Sequence, residues 1–140
     1  MGVTSERTAL LDTSVVIALT QEDRELDLRS YSRVFISSVT YAELRLGVTC
    51  ARSAEMAVSR YAAFEQISSL FGDGLPFDDR AASEYGRILQ TVVRRRGQPK
   101  AHVNDRMIAA IAAANGLELL TLNAADLVGL EEHLRVVSLV

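Results

Sequence analysis

Acidic side chains recur in this chain where apolar runs give way to helical patterns. Asp12 directly follows Thr8-Ala9-Leu10-Leu11 and precedes the helical run Ser14 to Thr20. Glu43 lies about one turn into the stretch that begins after Val34-Phe35-Ile36, Asp105 opens an alanine-rich segment, and Asn123 and Asp126 follow Glu118 to Leu122. Taken singly, each has a structural explanation. Asp12 and Asn123 are good helix N-caps. Thr40 and Glu43 have the spacing of a capping box. Either Asn104 or Asp105 can cap the alanine-rich helix, whose first turn favours an acid in any case. Taken together, acids at three strand-to-helix junctions, plus Glu43 on a helix after a fourth strand, would open toward one edge of a parallel sheet. Three or four carboxylates gathered there repel one another. A divalent cation removes that repulsion, and Mg²⁺, which takes oxygen ligands and keeps waters, suits a loose cluster. Such a site supports phosphodiester hydrolysis, activating a water and stabilising charge on the departing oxygen. Asp12, Glu43, Asp105 and Asp126 are therefore the candidate catalytic and metal-binding residues. Asn123, whose amide carries no charge, is expected mainly to cap the last short helix.

Other chemistries have less support. His102 and His133 stand apart, with no second His or Cys at metal-ligand spacing, which argues against zinc. No glycine-rich phosphate loop follows a strand, and Ser14 and Ser37 have no evident His partner for nucleophilic catalysis. Arg94-Arg95-Arg96, the one basic run, reads equally as a helix end complementing the dipole and as an RNA-backbone contact. Gly47 lies one turn beyond Glu43 on the same helix face. A mid-helix glycine costs about 1 kcal/mol relative to alanine, so a close approach is expected there.

The elements that must position these groups alternate along the chain. Thr8 to Leu11, Val34 to Ile36, Glu118 to Leu122 and Arg135 to Val140 read as strands. Apolar residues at three- and four-residue steps predict helices over Ser53 to Phe71 and from Asp79 to about Arg96, where Gly97-Gln98-Pro99 stops the second. Asn104 to Asn115 is predicted helical, with Gly116 in the favoured C-terminal position. Strands interleaved with helices imply a mostly parallel α/β sheet covered on both faces. Functional groups in such sheets collect beyond the carboxyl ends of the strands.

The chain's 140 residues have the length of one domain, and 49% are hydrophobic, ordinary for a globular protein. A single cysteine, Cys50, permits no internal disulfide and points to a reducing compartment, the cytoplasm. The apolar run Val15 to Leu19 is too short for a membrane span or signal-peptide core. The net charge of −3 counts against a general phosphate binder. Against that, Lys100 is the only lysine among 15 basic residues, and arginine is the better bidentate phosphate ligand.

Three segments resemble the PIN-domain ribonucleases, in particular the VapC-like toxins of toxin–antitoxin systems. "LLDTSVVIAL" is similar to the family's opening motif, with Asp12 as first metal ligand and Thr13 beside it. "SSVTYAELRLG" resembles the second, with Glu43 and Gly47, and "NDRMIAAIAAANGLELLTLNAADL" the last two, with Asp105 as third acid. The resemblance runs in order over nearly the whole chain. It implies a single PIN domain over residues 1–140, a three-layer α/β/α fold with four to five mostly parallel strands, and Mg²⁺ or Mn²⁺. It further implies an RNA substrate, a homodimer and a cognate antitoxin that covers the site. The family's usual Thr-Arg-Asn or Thr-Arg-Asp is here Thr121-Leu122-Asn123, which leaves Asp126 as the fourth carboxylate. Alternatives are a non-enzymatic PIN-like interaction module whose acids only cap helices, and a PIN nuclease acting on another nucleic acid. A phosphatase using Asp12 as nucleophile would need a second Asp two residues on, where Ser14 stands.

Overall fold

The computed structural model of the chain describes residues 6–21 and 23–140. Four parallel strands form its sheet: β1 Thr8–Leu11, β2 Arg33–Phe35, β3 Glu118–Thr121 and β4 Val136–Ser138, in spatial order β2-β1-β3-β4. Five helices accompany them: α1 Thr13–Leu19, α2 Ser38–Thr49, α3 Ala54–Phe71, α4 Asp79–Arg94 and α5 Val103–Ala114. A 3₁₀ turn at Ala124–Leu127 precedes β4. This is the expected three-layer α/β/α arrangement around a parallel sheet.

Alternation along the strands divides the core between the two faces of the sheet. Leu10 and Leu119, paired in register, point to one face and meet Ile88 and Val92 of α4 and Ile108 and Ile111 of α5. Ala9, Leu11 and Leu120 point to the other, where Val15 and Val16 of α1 and Ile67 of α3 cover them. Each such buried leucine or isoleucine stabilises the fold by roughly 1.5–3 kcal/mol. Ala109, Ala110 and Ala112 are buried on α5, and their small side chains let that helix lie close to its neighbours.

Backbone hydrogen bonds decide where elements end. Ile36 was expected in β2, but its carbonyl accepts from Leu75 N at 2.8 Å, and Leu75 O in turn accepts from Ser38 N at 2.9 Å. That local bridge draws the chain off the sheet and into α2. Helix α4 stops two residues earlier than the pattern predicts: Arg96 turns to φ 62° and Gly97 N bonds back to Val92 O at 2.8 Å. Helix α5 begins one residue earlier, at Val103. Among the described residues, no helix is long and apolar enough to cross a membrane.

The topology fixes the site's place. The chain leaves β1 toward the face of Val15 and Val16 and leaves β3 toward the opposite face, where Leu127 packs. Adjacent parallel strands whose connections part in this way open a crevice at their carboxyl ends.

Candidate active site

Asp12 sits at that crevice, and it both caps α1 and faces the cluster. Its Oδ1 accepts from Val15 N at 3.1 Å and from Ser14 Oγ at 2.5 Å. Its own N–H donates to Leu120 O at 3.0 Å, stitching the end of β1 to β3. Ser14 Oγ also accepts from Leu122 N at 3.1 Å, so one hydroxyl ties the ends of both central strands to the carboxylate. The sequence gives no hint of this role for Ser14 beyond its place two residues after Asp12. Asp12 is 6% exposed.

Glu43 is not part of a capping box. The N-cap of α2 is Ser37, whose Oγ accepts from Thr40 N at 3.0 Å, so Glu43 lies a turn and a half into the helix. Instead it accepts from Thr13 Oγ1 at 2.6 Å. Thr13 Oγ1 is also 3.0 Å from Thr40 Oγ1, and Ser37 Oγ donates to Thr40 Oγ1 at 3.3 Å. A hydroxyl has one hydrogen to give. Thr13 gives its hydrogen to Glu43, so Thr40 must donate to Thr13, and the chain runs one way from Ser37 through Thr40 and Thr13 to Glu43. Glu43 is the final acceptor of that chain, which fixes its carboxyl group at the crevice.

Asp105 stands at the start of α5, as expected, but it neither caps that helix nor follows a strand. Helix α5 follows α4, its N-cap position is His102, and no side chain caps it. Asp105 lies in the first turn, with its carboxyl held above the usual aspartate range. Burial is the first cause, and the charges of Glu43, Asp12 and Asp126 follow, with His102 acting in the opposite sense. The charges of the other three candidate carboxylates thus all reach Asp105.

At the end of β3, Asn123 occupies the N-cap position of the 3₁₀ turn, but its side chain makes no cap bond. The expectation that Asn123 mainly caps is therefore corrected: its backbone does the holding, donating to Thr121 Oγ1 at 2.9 Å and accepting from Asp126 N at 3.0 Å. Asp126 is brought to Asp105, and so is His102, which stands apart only in sequence. Donor atoms of His102, Asp105 and Asp126 all lie within 4.8 Å of one another. Spacing around Asp105 alone could have flagged His102, three residues before it and one helical turn away.

Carboxyl oxygens with one imidazole nitrogen form a donor set that fits a divalent cation, and the raised Asp105 carboxyl marks a concentration of negative charge that a cation relieves. An apolar groove of about 420 Å³ between α1, α2 and α3 opens beside Glu43, with Thr13, Val16, Ile67 and Gly47 on its walls. The close approach expected at Gly47 is not made within the chain: a Cβ there meets nothing within 4 Å and would stand in open space. Of the basic run, Arg94 pairs with Glu132 at 2.7 Å and Arg95 is the C-cap of α4.

The sequence matches the PIN domain family over residues 9–126, and the chain belongs to that family. Among curated relatives it is 37% identical over 119 residues to ribonuclease VapC5 of Mycobacterium tuberculosis, covering 84% of each chain. It is 33% identical over 118 residues to ribonuclease VapC1 of Rickettsia felis, covering 84% of this chain and 86% of the relative. Its structure is similar to VapBC-5 of M. tuberculosis, a member of the VapBC family of toxin–antitoxin systems. That likeness has TM-score 0.74 and 31% identity, and covers 94% of this chain and 97% of the other.

Proposed function

We propose that this chain is a metal-dependent endoribonuclease acting as the toxin of a toxin–antitoxin pair. The observation that carries the proposal is the meeting of Asp105 and Asp126 at the carboxyl edge of the sheet, with Asp12 and Glu43 close enough for their charges to raise the Asp105 carboxyl. The extended identity to VapC ribonucleases supports RNA as the substrate. Asp12, Glu43, Asp105 and Asp126 would hold Mg²⁺ or Mn²⁺, which when bound supplies an activated water and stabilises the departing oxygen. Asp12 keeps Oδ1 on the backbone and Ser14, which orients the carboxylate at the crevice. Thr13 holds the Glu43 carboxyl group in place. Asn123 serves as a supporting residue through its backbone.

A cognate antitoxin is the partner this reading assigns, and the apolar groove beside Glu43 supports a segment that covers the site. A homodimer is proposed with it, supported by large apolar side chains left at the surface, among them Leu46, Val58, Leu70 and Val93. The cytoplasm is the compartment that the single, unpaired Cys50 favours. Purified protein should cleave RNA with Mg²⁺ or Mn²⁺ and stop when a chelator is added. Full activity in excess chelator rejects the metal mechanism. Sedimentation should report a dimer, and coexpression of the cognate antitoxin should relieve toxicity.

A further inference from the structure

We propose that His102 is an imidazole ligand of the catalytic cation and biases the site toward Mn²⁺ over Mg²⁺. The proposal rests on the reading of the chain as a metal-dependent nuclease and sharpens which cation that nuclease prefers. His102 Nδ1 is 3.8 Å from Asp105 Oδ2, and with Asp126 the donor atoms span no more than 4.8 Å. Ligands about 2.1 Å from one ion stand about 3 Å apart when adjacent and about 4 Å apart when opposite. Small side-chain rotations therefore close the set around a single ion.

The backbone is built to hold the imidazole there. His102 has φ 52° and ψ 39°, a left-handed conformation uncommon outside glycine. Its carbonyl accepts from Arg106 N at 2.9 Å. The buried guanidinium of Arg106 donates to the carbonyls of Gln98 and Ala101, both at 2.7 Å, and so clamps the loop that ends at His102. The side chain makes no cap bond to α5 and is 42% exposed, so ligation would break no hydrogen bond of the helix. Imidazole nitrogen suits the later divalent metals best, and the transition metal Mn²⁺ accepts it more readily than Mg²⁺, which keeps to oxygen. A site of carboxylates alone has no such bias.

The test titrates Mn²⁺ alone into the purified full chain, reads the bound ion by pulsed electron paramagnetic resonance, and then displaces it with Mg²⁺. Nitrogen hyperfine coupling to bound Mn²⁺ is expected in the wild type and should vanish in His102→Asn and His102→Gly, two residues that tolerate the left-handed backbone. In both variants the Mg²⁺ concentration that displaces Mn²⁺ should fall by about tenfold or more. Bound Mn²⁺ without nitrogen coupling in the wild type overturns the proposal whether or not the variants fold, and leaves the nuclease reading intact if a chelator still stops cleavage. Failure to bind Mn²⁺ overturns it as well, and chelator-resistant cleavage alongside rejects the metal reading with it.

Discussion

The two ends of the sheet carry acids under opposite conditions. At the amino end, Glu118 accepts from Arg7 Nε and Nη2 at 3.0 and 2.9 Å and lies 3.1 Å from Arg135 Nε. The Arg7 guanidinium holds its carboxyl below the usual range. At the carboxyl end, burial and three other carboxylates hold Asp105 above it. Glu118 opens β3 and Asp105 lies on α5, and burial pushes both carboxyls up. At Glu118 the hydrogen bonds of Arg7 outweigh it, whereas at Asp105 the neighbouring acids add to it. An acid matched by arginines reinforces the fold. A group of acids left unmatched strains it, and that strain is tolerable where a cation completes the site.

The largest test of this contrast is to neutralise the unmatched end. Asp12→Asn, Glu43→Gln and Asp105→Asn should each lower RNA cleavage by roughly a hundredfold or more, while the metal-free protein unfolds at the same denaturant concentration or a higher one. Asn keeps the cap at position 12. Variants that stay active but unfold early would make the carboxyl end structural like the other. Asp126→Ala should raise the metal concentration for half-maximal cleavage by about tenfold and lower the rate, since it removes one charge from the group around Asp105. Thr40→Val should slow cleavage several-fold by unseating Thr13 from Glu43, at a cost of about 1 kcal/mol in stability. An unchanged rate would reduce the hydroxyl relay to packing.

Acid and base should then separate the two ends by sign. Glu118, lowered below its ordinary 4.5, contributes stability that is present above that value and lost as pH falls through the lowered one. Asp105, raised above 3.8, contributes stability that is present below 3.8 and lost as pH rises through the raised value. Denaturant unfolding of metal-free Glu118→Gln should lose less stability on acidification than the wild type, with cleavage unaffected. Asp105→Asn should lose less on going from acid to neutral. Slopes that move in the same direction in both variants would end the comparison. The smallest effect is expected from Asn123→Ala, within about 0.5 kcal/mol, because its side chain caps nothing.

The sequence by itself determined the layers. Short continuous apolar runs such as Ala9-Leu10-Leu11 and helical runs such as Ile88 to Val92 can bury their apolar sides only as a parallel sheet between helices, and both patterns are visible in a linear string. It also marked Asp12, Glu43, Asp105 and Asp126, because acids at element boundaries are legible one at a time. Which of them cap was not legible, since a cap and a ligand require the same residue type: Asp12 does cap, Ser37 takes the place expected of Thr40, and Asn123 caps nothing. Only the tertiary structure decided that Thr13 reaches Glu43 across 30 positions, that Ser14 joins Asp12 to Leu122, and that His102 meets Asp126. Those meetings depend on the order β2-β1-β3-β4 and on α5 returning to the same edge, and strand order arises from packing between elements that no local pattern encodes.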